Sequence, residues 1–142
     1  MERAYCYQSN IQQIPLIQKD IELLRIEQNL SRPQIRQILM IIEELFSILV
    51  HNPCPPDTEH MIGLHFNINE GVISVTITDN GLPFNPINGE KKKSQDLLFD
   101  DTGRMGIELI RTFTDSFKYL RDSGKNIINF QKKIKSQSLQ IE

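Results

Sequence analysis

The sequence predicts an α+β two-layer sandwich, with a mixed or antiparallel sheet covered on one face by helices. Two consecutive stretches, 14–28 and 31–52, place apolar residues at helical spacing. Two later pairs of short stretches, about 62–68 with 73–77 and 116–122 with 126–133, read as hairpins around turn-forming residues. Helices and hairpins that cluster rather than alternate argue for separate layers. The chain has 142 residues. That length suits one domain over 1–134, and the polar stretch 135–142 reads as a frayed tail.

The elements follow in order. Arg3 to Tyr7 is a candidate short strand. Pro15 suits a first helical turn. Ile17, Ile21, Leu24 and Gln28 then keep helical spacing, flanked by Leu16, Leu23 and Ile26, and Asn29 suits a left-handed C-terminal cap. Ser31 with Gln34 three residues on matches a capping box, with Pro33 in the first turn. The second helix carries Ile35, Leu39, Ile42, Phe46 and Leu49 on one stripe and Ile41 with Ile48 on another, which makes it central. Pro53, Pro55 and Pro56 end it near Asn52. Asn69-Glu70-Gly71 turns the first hairpin, and Asp122-Ser123-Gly124-Lys125 turns the second. Between the hairpins lie a polar loop, about 87–103, and a short helix, about 105–113.

Composition narrows the function. Hydrophobic residues are 39%, charged residues 24%, and the net charge is −2, so nothing draws the chain to nucleic acid or an anionic membrane. Cys6 and Cys54 form no CxxC pair, and the three histidines are not at metal-ligand spacing with them. Free thiols and the absence of an apolar leader give a cytoplasmic expectation.

Asp79 is the anomaly. Strand alternation puts it on the same face as Ile73, Val75 and Ile77, where a carboxylate is costly unless it is hydrogen-bonded. Either it caps the turn with Asn80-Gly81, or it serves a ligand. The segment Asp79-Asn80-Gly81-Leu82-Pro83-Phe84-Asn85-Pro86 resembles the first glycine box of GHKL (Bergerat-fold) ATPases, D-x-G-x-P-F-x-P in the anti-sigma-factor serine kinases. Gly103-Arg104-Met105-Gly106 resembles their second glycine box, with Arg104 in place of a glycine. Glu43-Glu44-Leu45-Phe46-Ser47-Ile48 falls where that family carries its N-box, E-E-x-x-x-N.

That resemblance spans about 10–133 and carries specific expectations. It implies a Bergerat fold and ATP as cofactor. Asp79 would accept a hydrogen bond from the adenine amino group, and Gly81, Pro83 and Asn85 would shape the loop beside the base. Gly103, Arg104 and Gly106 would meet the phosphates, where Arg104 either pairs with a phosphate directly or obstructs the backbone approach, and Asn129 of the last hairpin joins the cofactor-binding set. Glu44 would be the general base, although a Glu-Glu pair on a helix is by itself more often surface charge. Ile48 stands where the family's asparagine holds Mg²⁺, and isoleucine offers no oxygen to a hard cation. Asn52 is the candidate substitute ligand, displaced by one turn, about 5.4 Å. The implied partners are a sigma factor and an anti-anti-sigma (STAS-type) protein, with a homodimer expected. The implied activity is phosphorylation of a serine on the latter. Loss of the metal ligand leaves open an inactive partner-binding module of the same fold. A two-component histidine kinase is disfavoured, because no dimerisation helix pair or phospho-acceptor segment is present.

Overall fold

The computed structural model describes residues 1–87 and 106–134. The chain runs β1 (Glu2–Gln8), a single 3₁₀ turn (Ile11–Gln13), α1 (Ile14–Gln28), α2 (Arg32–Val50), β2 (Met61–Asn69), β3 (Val72–Asp79), α3 (Ile107–Phe113), β4 (Ser116–Asp122) and β5 (Lys125–Lys133). The five strands form one sheet in the order β1-β2-β3-β5-β4, and every neighbouring pair is antiparallel. The mixed alternative is thereby removed. The loop 87–103 lies almost wholly outside the described residues, as does the tail 135–142.

Local chemistry accounts for the boundaries. Pro15 occupies the first turn of α1, and Asn29 ends that helix at φ 57°, ψ 46°. The Ser31 hydroxyl caps α2, accepting from the Gln34 amide at 3.4 Å and donating to the Gln34 side chain at 3.0 Å. The β2–β3 hairpin turns on Glu70 and Gly71, both at positive φ, as the β4–β5 hairpin turns on Ser123 and Gly124. Positive φ at both central residues gives the turn twist that suits antiparallel strands.

One face of the sheet makes the core. Tyr7, Ile62, Leu64, Phe66, Ile73, Val75, Ile77, Ile128 and Phe130 are buried there. Ile17, Ile21 and Leu24 of α1 and Ile38, Ile41, Ile42, Leu45, Phe46 and Leu49 of α2 meet them. Burial of so many large side chains is the main stabilising term. In α1 the flanking Leu16, Leu23 and Ile26 are 45–60% exposed, so its buried stripe is the narrow one that the spacing of Ile17, Ile21 and Leu24 defines. The two faces of β3 differ sharply: Ile73, Val75, Ile77 and Asp79 point to the helices, while Ser74, Thr76 and Thr78 point away.

Candidate functional site

Asp79 closes β3 on the core side, and its side chain is fully inaccessible to solvent. Burial on that scale demands donors, and three are present. The ring Nε2 of His60 lies 2.7 Å from Oδ2. The Gly81 amide donates to the same oxygen at 3.0 Å. The Asn126 amide nitrogen donates to Oδ1 at 2.9 Å. The turn-cap reading of Asp79 is met: the acid organises its own loop, and both of its oxygens take donors from inside the core.

Asn126 is the hub of this group and is 1% exposed. The register of β3 against β5 sets Asn126 directly opposite Asp79. Its nitrogen serves two acceptors, Asp79 Oδ1 and the Leu82 carbonyl at 3.0 Å. Its oxygen accepts from the Tyr119 hydroxyl at 2.7 Å, the Phe84 amide at 3.1 Å and Arg121 at 3.2 Å. Donors on one end and acceptors on the other fix the amide orientation. Arg121 also donates to the Gly81 carbonyl at 2.9 Å.

The segment between α2 and β2 straps the glycine box from the other side. The Asn52 amide nitrogen donates to the Leu82 carbonyl at 2.8 Å, and the Leu82 amide donates to the Pro53 carbonyl at 2.9 Å. Asn80 receives the Met61 amide at 2.9 Å and donates to the Glu59 carbonyl at 2.8 Å. A side chain on residue 81 would have no room: its Cβ would come within 2.7 Å of both Asn52 Nδ2 and Asp79 Oδ2 and 2.9 Å of the Pro53 carbonyl. Glycine at 81 is thus required by close approach of α2's end to the box.

The other expected site residues are dispersed. Pro83 is exposed and Asn85 half-buried on the same loop, where Asn85 accepts from the Ile87 amide at 2.9 Å and so closes its own turn. Gly106 is the extended residue at the start of α3, and its carbonyl accepts from Leu109 and Ile110. Gly103 and Arg104 lie outside the described residues. Glu44 and Ile48 are half-buried, one turn apart on α2. Glu43, rotated by about 100° around the helix, accepts from Gln18 of α1 at 2.7 Å.

One expectation is corrected. Asn129 does not join the acid. It lies three residues from Asn126, hence on the opposite face of β5, where it donates to Ser74 at 3.0 Å and Thr76 at 2.9 Å. Asn126, not Asn129, is the β5 asparagine beside Asp79. The Asn52 bond to Leu82 uses its amide nitrogen, not the oxygen that a cation would take. Ile48 offers a divalent cation no oxygen on this flank of the helix. Among the described residues, no group of three or more His, Cys, Asp or Glu is placed to hold one.

An antiparallel five-stranded sheet, helices on one face and a buried acid leading into a tight glycine loop together define an ATPase-type nucleotide module. Residues 8–132 match the family model of the histidine kinase-like ATPase domain, and the chain belongs to that family. Its architecture agrees with the Bergerat-type fold. No curated protein matches the sequence. No helix among the described residues is long and apolar enough to cross a membrane.

Proposed function

We propose that this chain is an ATP-binding anti-sigma regulatory factor of the serine-kinase type that works chiefly by nucleotide-dependent partner binding. The observation that carries the nucleotide half of this reading is the Asp79 carboxylate, buried at the end of β3 and continuous with a glycine loop that tolerates no side chain at 81. A single buried acceptor recognises an exocyclic amino group and rejects a carbonyl, which is the difference between adenine and guanine. The purine would lie against Asp79 and Gly81. The phosphates would extend toward Gly106 and the Gly103–Arg104 segment, with Glu44 on the α2 side. The partners would be a sigma factor and an anti-anti-sigma protein of the STAS type.

A non-catalytic module of the same fold is favoured by a specific observation. Ile48 supplies no oxygen at the position where the family's asparagine holds the cation. Phosphoryl transfer depends on a cation to neutralise charge on the phosphates, and this chain's described residues do not provide the expected ligand. Calorimetric titration with ATP, with and without Mg²⁺, tests both readings. Binding that ignores Mg²⁺ supports the non-catalytic module. Binding that tightens at least tenfold with Mg²⁺, together with phosphate incorporation into a partner, would establish the kinase instead. Ile48→Asn should introduce Mg²⁺ dependence. No ATP binding under any condition would remove the nucleotide reading altogether.

A further inference from the structure

A ligand cannot touch a carboxylate that has no accessible surface, so one of its covering groups must move first. Three groups hold Asp79, and they differ in freedom. The Gly81 amide is backbone, pinned by the Asn52 and Pro53 contacts on its neighbour Leu82. Asn126 is on a central strand, 1% exposed and tied at both ends of its amide. His60 differs: its side chain is 13% exposed, and it precedes β2 at the end of a proline-rich connection. Its ring has a single contact with Asp79, at 2.7 Å. The imidazole is the one partner that can leave without unravelling a strand.

The chemistry of that contact is informative. Asp79 is an acceptor when ionised, so the ring presents an N–H to Oδ2. An adenine amino group would present the same kind of donor to the same carboxylate. We propose that His60 is a built-in surrogate for the amino group of the base, a latch that keeps Asp79 hydrogen-bonded in the empty protein and is displaced when nucleotide binds. This rests on the nucleotide reading of the Asp79 site. Displacement exchanges one N–H···O contact for another, so the acid is never left bare, and the latch lowers the apparent affinity for nucleotide. Every base that displaces the ring meets the same cost, so the latch lowers affinity without changing the ratio between bases.

Titration calorimetry of ATP into the full chain and its variants, with EDTA present, tests this. His60→Ala should bind ATP about tenfold more tightly than wild type, and His60→Gln, which keeps an N–H donor, should return toward the wild-type value. Purine riboside triphosphate, which lacks the amino group, should gain from His60→Ala by the same factor as ATP, because both ligands displace the ring. Equal or weaker ATP binding by His60→Ala, with wild-type binding still abolished by Asp79→Ala, overturns the latch and leaves the nucleotide site standing. No binding by any variant overturns both. A second measurement uses wild type alone and so does not depend on a variant folding. The His60 ring N–H should give an exchange-protected NMR signal in the empty protein that disappears on adding ATP. A ring signal unchanged at saturating ATP overturns the proposal.

Discussion

Two carboxylates in this fold receive a ring-bearing donor at the same distance, and they do different jobs. Asp20 on α1 accepts from the Tyr7 hydroxyl at 2.7 Å. Asp79 on β3 meets His60 at 2.7 Å. Asp20 is half-exposed, so water completes its solvation, and the pair simply lets a buried phenol end on a polar atom while tying β1 to α1. Asp79 has no water to rely on and has gathered a backbone amide, an imidazole and a carboxamide from three separate parts of the chain. A structural acid sits where solvation is available. An acid kept in a dry site depends on a dedicated set of donors, and its loss leaves those donors buried and unpaired. That distinction is open to measurement.

The largest expected effect is at the dry site. Asp79→Ala strips the acceptor from three buried donors at once, and removing one side of such a buried charged network costs about 3–5 kcal/mol. Asp20→Ala should cost about 1 kcal/mol, since Tyr7 is left with one unsatisfied hydroxyl near water. Urea denaturation of both proteins reads the difference as a shift in midpoint at constant slope. Equal losses would mean that the Asp79 group is an ordinary surface-type network.

Gly81→Ala follows, at about 1–3 kcal/mol, because the new methyl meets the Pro53 carbonyl at 2.9 Å and that backbone atom is fixed by the Leu82 amide. Gly63 on the open face of the sheet is the control. Its nearest obstacle is also at 2.9 Å, but it is the Thr78 hydroxyl, a side-chain atom that can rotate away. Gly63→Ala should cost less than about 1 kcal/mol. If the two alanines are equally tolerated, the strap of 52–61 over the glycine box is looser than its hydrogen bonds imply.

Much of the frame was legible because local chemistry and periodicity agreed. Pro15 and Asn29 bracket α1 at the observed limits, and β3's alternation by itself singles out Asp79. Two partners of that acid were not found. His60 ends a stretch with three prolines and no periodicity, and nothing local says that such a stretch folds back onto a strand end. Asn126 was within reach: Ile128 and Phe130 share its parity, which puts it on the core face and Asn129 on the other. Ile127 blurred that signal, being apolar on the outward face. The buried acid was thus readable from one strand. Its donors were not, because they depend on which strand pairs with which and in what register.

A small effect sharpens the comparison from the wet side. Tyr7→Phe removes one hydrogen bond to a carboxylate that water can re-solvate, so it should cost about 0.5–1 kcal/mol at pH 8. The pH dependence carries the sharper test. Burial first, and then the bond to Asp20, push the Tyr7 phenol well above its ordinary value. A folded-state pKa above the unfolded one means that the unfolded chain releases its proton first. Tyr7's contribution is therefore intact below about pH 10 and is lost as pH rises from there through the folded value. Tyr7→Phe has no such proton to release, so its deficit against wild type should shrink between pH 8 and pH 10.5. Tyr5, whose phenol is also raised by burial, is present in both proteins and cancels from the difference. A deficit that stays constant over that interval would show that the Tyr7 phenol ionises as readily in the fold as outside it, and that the contact with Asp20 does not hold its proton.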